Sequence, residues 1–284
     1  MKTWARRIVR PSASAALAVC FLMGVPSLAP ARDLKEAFPN IQWQEGPTSA
    51  ALGDIAEIQV PKHFLFAGAA DTRRIMEAMR NPPTDTELGF LGPASGQWFV
   101  VFEFDDVGYV RDDEKNALNA DALLESIKRG TEAANQERMK RGWPTLTIVG
   151  WEAPPAYNTE TNNLEWAVRG QSSIRPLVNH NTRILGRRGV MKATLVADAS
   201  ILGATLPEYQ ALIGGYSFKE GQRYAEWVKG DKVAQYGLAA LVVGGAAAVA
   251  VKSGIFKWLW KVILMVGVAV AAFLKSLFAG RRTA

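Results

Sequence analysis

The feature that most constrains this chain is where its charge lies. Residues 1–31 carry Lys2, Arg6, Arg7 and Arg10 and no acid. Residues 252–284 carry Lys252, Lys257, Lys261, Lys275, Arg281 and Arg282, again with no acid. The whole chain has 33 basic residues and a net charge of +6, but only 23 of them face the 27 acids in between, a net −4. The folded part must therefore come from the middle, and the ends serve another purpose. Basic residues flanking apolar runs are what export and membrane topology use. A mildly acidic middle argues against nucleic acid as a partner.

At the N-terminus a basic stretch precedes an apolar run over residues 13–25, too short to span a bilayer comfortably. Pro26 ends the run, and Ala29-Pro30-Ala31 places small residues where a signal peptidase reads. Residues 1–31 are expected to be a signal peptide cleaved after Ala31. An uncleaved N-terminal anchor is one alternative. Lipid attachment at Cys20, within Leu17-Ala18-Val19-Cys20, is another, and Val19 is larger than that site wants. Cys20 is the only cysteine. A cleaved chain would have none, which excludes disulfides, thiolate catalysis and cysteine metal sites. About 200 residues are enough to build a core without them.

The C-terminus holds two apolar runs, 236–251 and 262–274, separated by Lys252, Ser253, Gly254, Lys257 and Lys261. Each is shorter than the roughly 20 residues a span needs, unless extended back to Val233 and Ile255. Lys257 and Lys261 share one helix face and reach toward headgroups, beside Trp258 and Trp260 as interfacial anchors. A hairpin would cross twice and turn at 252–261. A single span would cross by the second run and leave Arg281 and Arg282 inside. The hairpin uses both runs and is preferred. A buried helical pair in a soluble protein is the remaining alternative, and six basic residues without an acid do not resemble a core. Residues 233–278 are thus expected to meet the lipid bilayer, placing the chain in a bacterial inner membrane with its soluble domain, 51–230, facing the periplasm.

In the middle, 32–49 shows no sustained period, and 32–50 is expected to be a flexible lead. Ala56, Ile58 and Val60 alternate with Glu57 and Gln59, which predicts a strand ended by Pro61, with Phe64 and Phe66 continuing it after a kink. Asp71 is expected to cap a helix whose Ile75, Met76 and Met79 share a face, and Asn81-Pro82-Pro83 ends it. Residues 88–91 form a short apolar piece. Residues 98–104 are apolar on both faces except Glu103, and Tyr109-Val110 resumes after a turn. A helix follows over 120–141, with Gly142 and Pro144 closing it. Strands are predicted over 147–151, closed by Pro154-Pro155, and over 164–168. Residues 178–185 and 190–196 flank Gly186-Arg187-Arg188-Gly189 as a hairpin. A helix over 199–214 is broken near Pro207, and Tyr216 and Phe218 start a last short element. The fold class is α+β: an antiparallel sheet with flanking helices.

The motifs of phosphate-binding loops, dinucleotide sites, zinc peptidases and serine hydrolases are absent. His63 and His180 are the only histidines, and a surface or structural role is expected of each. No catalytic residue, metal site or cofactor is predicted. Asp105, Asp106, Asp112, Asp113 and Glu114 surround the Tyr109 turn, a solvated turn in the plainer reading and a hard-cation site in the sharper one. Arg183, Arg187 and Arg188 at the hairpin either clamp an anion or blunt a sheet edge. Trp151 and Trp166 are in predicted strands and would line a groove or pack the core. These seven, Asp105, Asp106, Arg183, Arg187, Arg188, Trp151 and Trp166, are the candidate ligand-binding residues.

Several stretches resemble one family. They are Leu52-Gly53-Asp54-Ile55-Ala56, Ala70-Asp71-Thr72-Arg73, Asp105-Asp106-Val107-Gly108-Tyr109-Val110, Asn135-x-Glu137-Arg138 and Val149-Gly150-Trp151. They continue with Leu164-x-Trp166-Ala167, 183–190, Gly221-x-Arg223-Tyr224-Ala225 and 232–241. Together they resemble, over about residues 50–245, the bacterial membrane-anchored proteins known as domain of unknown function 2167. His180 stands where that family mostly has asparagine and tyrosine. The resemblance implies export, an anchor and no established activity, and supplies no catalytic residues. The element order is also similar to the PsbP-like sandwich, whose members are mostly binding or assembly factors. The expected function is a non-enzymatic envelope interaction or assembly factor with a protein partner. The alternative is a ligand-binding or hydrolytic domain using the acidic turn, 105–114, and the arginine hairpin.

Overall fold

The computed structural model describes residues 33–172 and 176–244. The expected signal peptide, residues 1–31, and the C-terminal runs from residue 245 lie outside the described residues. In chain order the elements are α1 (Leu34–Ala37), β1 (Gln44–Glu45), β2 (Thr48–Leu52), β3 (Ala56–Val60), β4 (Phe64–Gly68), α2 (Ala69–Ala78), β5 (Glu87–Pro93) and β6 (Trp98–Asp105). Then come α3 (Ala120–Lys140), β7 (Leu146–Asn158), β8 (Asn163–Ser172), β9 (Pro176–Leu185), β10 (Val190–Asp198), α4 (Leu202–Gly214), β11 (Tyr216–Phe218) and α5 (Leu238–Val243).

Eight strands make one antiparallel sheet, in the order β1-β4-β5-β6-β10-β9-β8-β7, and β11-β3-β2 make a second. The fold is α+β, as the pattern predicted. The small sheet and α4 cover one face of the large sheet, around Phe66, Trp98, Val100, Phe102, Leu195 and Tyr209. The other face carries two separate apolar patches: α1 and α2 over Phe90, Phe99 and Val101, and α3 with α5 over Leu164, Trp166 and Val190.

Local chemistry accounts for most boundaries. Strand β3 buries Ala56, Ile58 and Val60 and exposes Glu57 and Gln59, the alternation of a half-covered strand. Asn119 caps α3, its side chain accepting from the Ala122 amide at 3.0 Å. The 185–190 hairpin pairs Leu185 with Val190.

Other expectations are corrected. Residues 33–50 are not a loose lead: Asp33 caps α1, and Leu34, Phe38, Ile41 and Trp43 pack under α2. Those apolar residues follow no helix or strand period because they fill a gap between elements. Phe64 and Phe66 do not extend β3. His63 turns the chain at φ +68°, and β4 joins the other sheet. Gly68, not Asp71, precedes α2; Asp71 accepts from the Gln42 amide and pairs with Arg74 instead. Tyr109 makes only a single parallel bridge, to Val233. Pro154-Pro155 does not close β7, which runs on to Asn158. The ladder to β8 steps from Ala153 to Ala156, so it skips both prolines. An edge strand tolerates proline because its outer amides need no partner. Helix α4 runs unbroken through Pro207.

The expected anchor also begins too early. Val233 bridges to Tyr109, and Leu238, Leu241 and Val242 are buried against α3 and the large sheet. About the first half of the run extended back to Val233 is therefore packed on the domain. Among the described residues no helix is long and apolar enough to cross a membrane.

Candidate functional site

The acidic turn and the arginine hairpin meet at one end of the large sheet. Strand β6 ends at Asp105, opposite Val190 at the start of β10. The Gly108 amide donates to the Arg188 carbonyl at 2.8 Å. Gly108 sits at φ +94°, and a Cβ there would come 2.7 Å from the Lys232 carbonyl oxygen. Only glycine suits that approach.

A third segment lies across the two. After β11 the chain runs back as a strap over 219–237. Tyr109 donates its amide to the Lys232 carbonyl at 2.8 Å and accepts from the Ala234 amide at 2.9 Å. The Tyr109 ring stacks on Tyr224 at 4.4 Å and lies 5.2 Å from Trp227. The Tyr224 hydroxyl donates to the Val110 carbonyl at 3.0 Å, and burial pushes its pKa up. Burial, with Asp105 nearby, pushes Tyr236 up to about 12.

The candidate side chains are mostly engaged. Arg187 forks onto Asp231, with Nε to Oδ2 at 2.7 Å and Nη2 to Oδ1 at 3.0 Å. That guanidinium, aided by the Val228 amide, holds the Asp231 carboxyl down to about 2. Arg188 is exposed and donates to Gln222 Oε1 at 3.0 Å. Asp105 takes Lys192 at 3.1 Å. Asp106 is exposed, and its carbonyl accepts from Lys232 Nζ at 2.8 Å. Glu114 accepts from the Ala239 amide at 3.1 Å. Arg183 turns away from the joint, onto the Trp166 ring at 4.7 Å and Asn181 Oδ1 at 3.3 Å. Trp166 is buried, and Trp151 donates to the Ala120 carbonyl at 3.2 Å.

The site is therefore a joint in which the C-terminal strap occupies the ground between acids and arginines. Among the described residues no three His, Cys, Asp or Glu side chains converge for a metal ion. An open hollow of about 480 Å³, lined by Trp43, Gln44, Gly68 and Asp71 among others, involves none of the candidate residues. Residues that motif reading missed are Tyr109, Tyr224, Trp227, Asp231 and Lys232. Tyr109, Tyr224 and Lys232 stand in the 105–110, 221–225 and 232–241 stretches, Trp227 and Asp231 fall between the last two, and none of them carries recognisable chemistry until the strap closes.

His180 is buried, with its ring edge on Tyr209 at 5.3 Å, and burial lowers it to about 4. It is a structural histidine. His63 is exposed at its turn.

Residues 44–275 match the family described as "Protein of unknown function (DUF2167)". The chain belongs to this family. No curated protein matches it. Among solved structures, the solution structure of cyanobacterial PsbP (CyanoP) from Synechocystis sp. PCC 6803 is similar over 69% of this chain and 98% of that one, with 7% identity and a TM-score of 0.36. In this DUF2167 chain Asn135 clamps Leu146 by two bonds of 2.8 and 2.9 Å, and Arg138 Nε donates to the Pro144 carbonyl at 2.6 Å. Those two family-like positions hold the end of α3 to β7.

Proposed function

We propose that this chain is an exported, membrane-anchored binding or assembly factor whose domain is held close to the bilayer and meets a protein partner there. The observation that carries the reading is the joint itself. The side chains with the most chemistry fasten the segment that leads to the apolar C-terminus: Arg187 to Asp231, Lys232 to Asp106 and Glu114 to Ala239. A short, fastened connection keeps a domain near its anchor, where a long flexible one would let it roam. Because 233–243 packs on the domain, one crossing by 255–274 fits the remaining chain better than a hairpin. The N-terminal 31 residues supply export in this reading, with the bacterial inner membrane as the destination and the domain on the periplasmic side.

Mild crosslinking of the full chain in cells should recover a stoichiometric protein partner. A clean monomer under every growth condition would sink the reading. Cysteines placed at Ser253 and Thr283 test the crossing. One span predicts labelling of Ser253→Cys from outside and protection of Thr283→Cys, a hairpin predicts the reverse, and labelling of both from outside means no crossing between them. The backbone bond from Gly108 to exposed Arg188, which sets the acidic turn beside the arginine hairpin, favours a second reading, a small charged ligand at the rim of the joint. It requires Arg188→Ala to abolish a binding heat that the unsubstituted chain gives with inorganic phosphate or acetate.

A further inference from the structure

Across the middle of the large sheet, on the face shared by α2 and α3, one register line carries four ionisable side chains. Glu87 on β5 lies opposite Glu103 on β6, Glu103 opposite Lys192 on β10, and Lys192 opposite Arg183 on β9. Directly opposed side chains in an antiparallel sheet are neighbours. A β-bulge makes the first member possible. The register slips between Glu87 and Gly89, so Leu88 packs toward the small sheet while Glu87 and Phe90 both face α2. Gly89 is needed at the slip, because a Cβ there would lie 2.5 Å from the Phe66 ring. Bulges commonly re-aim one side chain, and this one aims a carboxyl inward.

Glu87 is 0% exposed. Its Oε1 accepts from the Thr84 amide at 2.6 Å, and its Oε2 is buried with no partner among the described residues. Cations near it are committed elsewhere. Lys192 serves Glu103 at 3.2 Å and Asp105 at 3.1 Å. Glu103 also accepts from the Thr86 hydroxyl at 3.1 Å. Arg183 lies two strands beyond Glu103, over Trp166. Helix α2 buries Thr72, Ile75 and Met76, none of them charged, and Arg80 and Asp85 beside it are exposed. Two carboxylates therefore share one ammonium, and the third has none. A buried carboxylate without a cation is far costlier than the neutral acid.

We infer that Glu87 is a buried proton-binding site, neutral in the folded chain, and that removing its proton sets a second carboxylate against Glu103 and loosens the β5–β6 pairing at the bulge. The ligand is a proton; the Thr84 amide binds the carboxylate more tightly than the acid, so the loosening falls on the neighbouring ladder, where the Phe104 amide donates to the Thr86 carbonyl at 2.9 Å. Burial pushes the Glu87 carboxyl upward, the Thr84 bond opposes this, and Glu103 adds a smaller upward push. The unfolded chain gives up this proton near 4.5. Stability from the site is therefore full below that pH and is lost as pH rises through the raised folded value.

The test is isotope-edited infrared spectroscopy of the full chain in detergent, labelled at the glutamate carboxyls. A protonated carboxyl band is expected at neutral pH, lost in Glu87→Gln and retained in Glu165→Gln, which removes the other acid that burial raises. Raising the pH should remove the band and, over the same interval, the hydrogen-exchange protection of the residue 104 amide. Absence of the band at neutral pH, or its survival in Glu87→Gln, overturns the proposal. If Glu87→Gln does not fold, titration of the unsubstituted chain decides: loss of the band without loss of protection also overturns it.

Discussion

On the face under α4, strand β6 presents Trp98, Val100 and Phe102, and β10 presents Met191, Ala193, Leu195 and Ala197. On the opposite face the same strands present Phe99, Val101 and Glu103, and Val196, Thr194 and Lys192. The first face hides its few polar groups around one residue: the Tyr209 hydroxyl donates to Thr182 at 2.7 Å, with His180 against the ring. The second is covered by two separate helical groups, and charge enters along the line between them. One continuous cover lets a sheet face be apolar throughout. A divided cover leaves a strip where polar side chains can be buried, partly paired and responsive to pH.

The largest expected contrast is in packing. Phe102→Ala empties the continuous face and should cost about 3–5 kcal/mol in denaturant unfolding. Val101→Ala on the divided face removes less, about 1–3 kcal/mol. Equal losses would mean that the faces do not differ as described. The next contrast is in titration. His180 takes up a proton only near pH 4 when folded but near 6.5 when unfolded. Its contribution is therefore full above 6.5 and falls by about 3 kcal/mol as pH drops to about 4. His180→Gln should flatten that limb in acid unfolding curves while leaving the alkaline limb, which belongs to Glu87, unchanged. A smaller and local effect is expected at the joint. Arg187→Ala should speed hydrogen exchange over 227–236 and leave the global unfolding midpoint nearly unmoved. The smallest concerns the sheet's edge. Pro154→Thr should alter stability by less than about 0.5 kcal/mol, yet raise self-association seen by sedimentation, because a proline that blunts an open edge is gone.

What the sequence disclosed followed from pattern length. Residues 98–104 and the 178–196 hairpin were legible because unbroken apolar runs and a Gly-Arg-Arg-Gly turn leave few alternatives. Prolines 154 and 155 misled because edge position is a property of the whole sheet, invisible in a local window. Leu34, Phe38, Ile41 and Trp43 looked aperiodic because each fills space between other elements. At the site, Asp106, Arg187 and Arg188 were visible as types. Their partners Asp231, Gln222 and Lys232, some 34 to 126 positions away, were not. The Glu87 line depends on a single slipped residue, and a slip of one reverses which face a side chain takes.

The bridge between Tyr109 and Val233 has a mechanical consequence. The two segments run parallel there, so a pull on the C-terminal end meets several bonds together instead of peeling them singly. Helix α5 comes away first, and then load reaches the Lys232–Ala234 pair and the Arg187–Asp231 fork at once. Tyr109 follows β6 after four residues, and Arg187 sits in the turn into β10. Tension therefore enters the sheet at its two central strands, the pair hardest to strip, and the strap acts as a strain relief between the sheet and the C-terminal segment.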